Sequence, residues 1–189
     1  MNMRSILPIV FGTLVLLLGA CKEKPQSTDI ITTKYVPKQP QPPIGMPVSS
    51  NVSHVEWAGR KYDVKVVSHP SDSLALVYDE NNQPYKDNKI EVVVTRSDGS
   101  VFFKKVFTKS SFSSYIDDTF MRNGILGGIQ YNSVETGGME FSVVVGLPDA
   151  LDDVFVPLKL TVDRQAGVHI SKNDDMDMLD YDGGENDEE

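Results

Sequence analysis

The chain has 189 residues, 40% hydrophobic and 24% charged, with 27 acids against 18 bases and a single cysteine. Such a length and composition suit one globular domain and exclude a disulfide scaffold. The excess negative charge is confined to residues 174–189, where Asp174, Asp175, Asp177, Asp180, Asp182, Glu185, Asp187, Glu188 and Glu189 stand without a base among them. The rest of the chain is balanced and has no basic run longer than Lys104-Lys105. Nucleic acid is therefore excluded as a partner, because neutralising phosphates takes a basic patch.

Taken in chain order, Arg4, an apolar run from Ile6 to Leu18 and the small residues Gly19-Ala20 supply the three parts of a secretory signal. The run is interrupted by Pro8 and Gly12 and is shorter than the roughly 20 residues needed to span a bilayer. The tetrapeptide Leu18-Gly19-Ala20-Cys21 that closes it resembles the lipobox of bacterial lipoproteins. In a lipobox the cysteine thiol takes a diacylglycerol, and the chain is cut before it. Residues 1–20 are thus expected to be a signal peptide and Cys21 the lipidation site, anchoring the chain to a membrane. With Cys21 acylated, no thiol is left for a disulfide, a metal or a nucleophile.

Residues 21–50 contain Pro25, Pro37, Pro40, Pro42, Pro43 and Pro47 and one aromatic, Tyr35. So little apolar surface cannot offset the entropy of ordering the segment, which is expected to be a tether. Residues 51–172 are expected to form a single mainly β domain, an antiparallel sandwich or barrel-like fold of about eight or nine strands with one short amphipathic helix. The clearest period-two rows are Met139, Phe141, Val143 and Val145, then Val154, Val156, Leu158, Leu160 and Val162, and earlier Ile90, Val92 and Val94.

Asp98-Gly99 is a hairpin signal, since its turn needs positive φ. On the returning strand, Phe102 beside Phe103 and then Lys104-Lys105 blur the faces and suggest a bulge or an edge. Residues 79–84 have the composition of a loop. Phe112, Tyr115, Ile116 and Phe120 recur at helical spacing, with Ser110 or Ser111 to cap the start and Asn123-Gly124 to end it. A helix over 111–122 is expected, its aromatic stripe turned to the core.

Several segments together carry a family resemblance: Arg96-Ser97-Asp98-Gly99-Ser100, Phe107-Thr108-Lys109, Phe112, Tyr115-Ile116, Gly124-Ile125-Leu126-Gly127-Gly128 and Phe141-Ser142-Val143 with Val145-Gly146-Leu147-Pro148. Over roughly residues 90–170 the chain resembles a domain-of-unknown-function family of small Bacteroidetes lipoproteins. The resemblance implies a cell-envelope lipoprotein with a mostly β domain and brings no activity or catalytic residue with it.

Signals for chemistry are weak. His54, His69 and His169 are far apart and lack the spacing of metal ligands, so no metal site is assigned. Ser71, Asp72 and Ser73 lie near His69 in sequence, but this is not triad geometry, and a loop explains them better. Gly124, Gly127 and Gly128 follow a helix, whereas a phosphate loop precedes one. Asp180, Asp182, Gly183 and Glu189 match positions of a calcium loop whose first position would be Met178, without evident flanking helices.

No catalytic or cofactor-binding residue is assigned, and no cofactor is expected. The function expected is that of a non-catalytic binding or structural module in the cell envelope, at the outer membrane, facing an envelope protein or a glycan. The alternatives are a hydrolase-like enzyme with a site assembled from scattered residues, or an inhibitor of an envelope hydrolase. The acidic end, 173–189, is expected to stay extended and to attract cations only diffusely. Calcium titration followed by NMR should then leave the amides of residues 180–189 undispersed at micromolar calcium; dispersion there would reveal a specific site.

Overall fold

The computed structural model describes residues 41–151 and 153–173, which belong to one compact unit of the chain. Ten strands are present among the described residues, all paired antiparallel within their sheets. β1 (Ser49–Trp57), β2 (Arg60–Pro70), β5 (Asn88–Arg96) and β6 (Val101–Phe107) form one sheet in the order β1-β2-β5-β6. β7 (Ile125–Glu135), β8 (Gly138–Gly146), β9 (Phe155–Val162) and β10 (Val168–Lys172) form a second in the order β10-β9-β8-β7. A ribbon of β3 (Leu76–Tyr78) and β4 (Pro84–Lys86) is inserted between β2 and β5. Neither four-stranded sheet closes on itself, so the architecture is sandwich-like rather than a barrel.

Alternation in the sequence explains why the two sheets share a core. Tyr62, Val64 and Val66 on β2, Ile90, Val92 and Val94 on β5, Met139, Phe141, Val143 and Val145 on β8, and Leu158, Leu160 and Val162 on β9 are buried in one cluster. Each row lies on one pleated face, and removing it from water is the main favourable term in folding. The tenth strand is β4, which falls at the end of what composition marked as a loop. It is held on one side by β3 and on the other by Ile44, which donates its N–H to the Pro84 carbonyl at 2.9 Å and accepts from Lys86 N–H at 2.8 Å. Contacts with the β domain thus reach back to Ile44, ahead of residue 51.

The doubtful region of β6 is both a bulge and an edge. Register shifts between Val94 and Thr95, so Val94 opposes Phe103, Thr95 opposes Val101, and Phe102 is the extra residue. The displaced Phe102 ring packs against Trp57 and Tyr62 at centroid distances of 5.8 and 5.6 Å, with the Arg96 guanidinium 5.1 Å above it. One added residue therefore lets two neighbouring phenylalanines both find apolar partners.

The expected single helix over 111–122 is instead two pieces, a 3-10 helix Lys109–Phe112 and α1 (Asp118–Asn123). Ser113, Ser114 and Asp117 lie where the helix would continue, and short polar side chains compete with helical bonding. The Asp117 carboxylate accepts from Thr119 N–H at 2.8 Å and Phe120 N–H at 3.0 Å, starting a new helix rather than extending an old one. The aromatic stripe still faces inward: Phe112 is fully buried against Phe107, and Ile116 is also in the core. Gly124 ends α1 at φ −85°, outside the left-handed region. A Cβ there would stand 2.6 Å from the Phe120 carbonyl oxygen, so close approach is what demands the glycine.

The β1–β2 hairpin turns on Ala58 and Gly59 at φ 50° and 71°. Positive φ at both positions matches the strand twist but costs an alanine about 1–2 kcal/mol, a strain that asparagine relieves. Ala58→Asn should therefore raise the unfolding free energy by about 1 kcal/mol, measured by urea denaturation with an unchanged slope.

Candidate functional site

Among the described residues the buried charged side chains are Asp87 and Lys109, 7% and 9% exposed. Asp87 sits between β4 and β5, and Lys109 begins the 3-10 helix that follows β6. One Asp87 carboxylate oxygen accepts from the N–H groups of Asn88 and Leu126, both at 2.8 Å. The other lies 3.7 Å from the Lys109 ammonium, which donates to the Gly124 carbonyl. Asn88, fully buried, donates from Nδ2 to the Leu126 carbonyl at 2.9 Å and to Met46 Sδ at 3.1 Å, leaving its own Oδ1 without a partner among the described residues. The cluster thereby ties the start of β5, the start of β7, the 3-10 helix and the segment before β1 to one point.

Burial pushes the Lys109 ammonium below its ordinary pKa, and the attraction of Asp87 opposes that shift without cancelling it. Beside the pair is a cavity of about 180 Å³ lined by Leu76, Val77, Ser110, Met121 and Arg122 among others. A carboxylate committed to two backbone N–H groups and a cation, and an amine committed to a carbonyl and that carboxylate, make a staple between elements. Neither group is poised as a free base or nucleophile.

The histidines singled out in the sequence do not converge. His54 on β1 pairs across the sheet with Asp63 at 2.7 Å, His169 on β10 pairs with Asp163 at 2.9 Å, and His69 lies exposed on β2. Asp163 also accepts from Gln165 and Gly167 N–H, and the His169 ring together with these bonds holds its carboxyl below the ordinary value. These contacts stitch the β9–β10 turn, where Ala166 stands at φ 61°.

Ser71 and Ser73 bond each other at 3.0 Å, Lys89 donates to Ser73 at 2.7 Å, and Asp72 pairs with Lys86 at 2.6 Å. They form a turn, with no hydrogen bond from His69 among the described residues. Gly127 is the extra residue of a bulge in β7 between Leu126 and Gly128. Among the described residues no group of three or more His, Cys, Asp or Glu is placed to hold a metal ion. Cys21, the expected tether up to residue 40 and the acidic residues from 174 onward, including those that match calcium-loop positions, lie outside the described residues.

Residues 29–170 match the family model described as a domain of unknown function, DUF4738. The chain belongs to this family. No curated protein matches it. The DUF4738 match takes in the first sheet, the second sheet as far as Ile170 on β10 and the whole Asp87–Lys109 cluster, and it begins at residue 29, inside the segment expected to be a tether. Sequence reasoning missed the cluster of this DUF4738 domain because its members are distant in the chain, Leu126 standing 39 residues from Asp87 and Gly124 15 from Lys109. A lysine two residues after Phe107 has the local pattern of a surface residue.

Removing Lys109 alone strands a buried carboxylate, a change worth about 3–5 kcal/mol of stability. Lys109→Met should show a loss of that order in denaturant unfolding, and Asp87→Asn combined with Lys109→Met should lose less than the sum of the two single changes. The pH dependence follows the same pair. Between the lowered pKa of folded Lys109 and its ordinary value of 10.5, the unfolded chain binds more protons than the folded one. Stability therefore gains as pH rises through that window. Lys109→Met lacks this gain, so its deficit against the natural chain should widen toward alkaline pH.

Proposed function

We propose that this chain is a membrane-anchored lipoprotein of the cell envelope, seated at the outer membrane, whose β domain serves as a non-catalytic binding or structural module. The observation that carries the reading is Leu18-Gly19-Ala20-Cys21 at the end of a basic and then apolar run, with the only cysteine of the chain at the acylated position of the motif. More than one acyl chain is expected on such a residue, and two chains anchor stably where one binds marginally. The family match begins beyond this cysteine, in keeping with a domain carried behind its anchor.

Within the domain, the two exposed histidines that have carboxylate partners each have a single one, and the buried Asp87–Lys109 pair is spent on backbone groups. That chemistry favours a scaffold that presents surfaces, to an envelope protein or a glycan, over a centre that moves protons or attacks bonds. The enzymatic alternative rests on Lys109, lowered in pKa beside a cavity of about 180 Å³. It requires the ammonium to leave the Gly124 carbonyl and Asp87 before it can react.

Cys21→Ser tests the anchor. The variant should lose membrane partition and labelling by fatty acid while its circular dichroism and thermal unfolding stay unchanged. Protein that still pellets with membranes and still takes up label would overturn the proposal.

A further inference from the structure

Among the described residues the two four-stranded sheets have four edge strands, β1, β6, β7 and β10, and an unpaired edge invites another strand unless something blunts it. Three of the four are blunted. β6 carries the exposed Lys104 and Lys105 and lies against a bulge; β7 shifts register at Leu126/Gly128 and at Tyr131/Ser133; β10 is only 5 residues long and ends in Lys172. β1 has none of these devices. It runs 9 residues in unbroken register with β2, and its stretch Ser49-Ser50-Asn51-Val52-Ser53-His54-Val55 contains no acid, lysine, arginine, proline or glycine.

Two exposed valines mark the same edge. Val48 is 70% and Val52 53% exposed, and with Ser50 and His54 they alternate with the row that leads inward to Val55 and Trp57. Beneath the strand, a groove of about 300 Å³ is lined by Asn51, Ser53, Val64, Val66, Ile129 and Tyr131 among others, running from β1 across to β7.

We propose that β1 pairs antiparallel with β1 of a second copy of this chain, joining two four-stranded sheets into one across a two-fold axis near Val52. The absence of charge, together with the unbroken register, is what makes this edge fit an identical partner. In an isologous strand pair each residue meets a copy of the same short segment, so any charge near the axis would stand opposite its own like. In a chain that is 24% charged, seven consecutive residues without an acid, lysine or arginine occupy the one edge left unblunted among the described residues. With the axis at Val52, valine faces valine, Asn51 faces Ser53 and Ser50 faces His54, and the first carboxylate, Glu56, lies at the end of the pairing. The incoming Asn51 and Ser53 are then carried over the groove, whose lining is in part polar.

The experiment uses the full chain in mild detergent with Cys21→Ser, so that one introduced thiol is the only one. At the axis, Val52→Cys stands opposite itself, within the Cα separation of about 4.5–5.5 Å of facing antiparallel residues, a spacing that a disulfide bridges. Mild oxidation should yield a linked dimer from Val52→Cys and none from Val106→Cys, an equally exposed position on the β6 edge. By sedimentation, Val52→Lys should raise the dimer dissociation constant at least about tenfold, equivalent to about 1.4 kcal/mol, with circular dichroism unchanged. Ser50→Lys is the second variant, since a lysine is a residue that blunts natural sheet edges, and it is expected to act in the same direction should Val52→Lys fold poorly. A chain that sediments as a monomer at every concentration, equal cross-linking from Val52→Cys and Val106→Cys, or a dimer indifferent to both charged variants would overturn the proposal. So would a monomer whose β1 edge takes up a strand from a different protein.

Discussion

The arrangement of this domain depends on where the Asp87 carboxylate is placed. Its oxygens accept from two backbone N–H groups and face the Lys109 ammonium, and through them the first sheet, the second sheet and the irregular segment between them meet at one buried point. Apolar rows attract each other without fixing an alignment, because burial is non-directional. A carboxylate with defined donors is directional, and it sets the start of β7 against the start of β5. A hydrophobic replacement of such a pair is often as stable. The function we assign to the pair is therefore one of alignment between sheets.

The same end of the molecule explains the irregular geometry of residues 109–123. Lys109 must reach the Gly124 carbonyl, while Phe112 stacks on Phe107 with ring centroids 5.9 Å apart. A continuous helix has one axis, and its rise is set by its own hydrogen bonds. A 3-10 turn followed by a separately capped helix has a free joint at residues 113–117, which lets both anchors be satisfied. At the opposite end, the Phe102 bulge plays a corresponding part by directing an extra ring onto Trp57 and Tyr62.

On the function we propose, what matters on this scaffold is its surfaces. Lys109 and Asp87 are occupied by one another and by the backbone, and the paired histidines sit apart on different sheets. What distinguishes one part of the exterior from another is the treatment of edges: three are closed to pairing by lysines, bulges or brevity, and β1 is left open. The edge-to-edge pairing we propose would be a means of association that needs no pocket and no catalytic group.

The sequence by itself determined the fold class. The rows on β5, β8 and β9 repeat with period two, and only a pleated sheet places such residues on one face. It also marked the hairpin at Asp98-Gly99, where Gly99 stands at φ 82°, and the inward aromatic stripe from Phe112 to Phe120. The candidate lipid anchor at Cys21 is likewise a matter of local sequence alone. Tertiary structure decided what local pattern does not encode. The stripe at 111–122 became two pieces because Asp117 capped a new helix in a context set by Lys109 and Phe107; β4 formed because Ile44 and β3 flank it; and the Asp87–Lys109 cluster arose from residues brought together across both sheets. Period and turn chemistry act between near neighbours and survive in the sequence. A buried ion pair between distant elements leaves no trace there, because each member by itself looks like an ordinary surface charge.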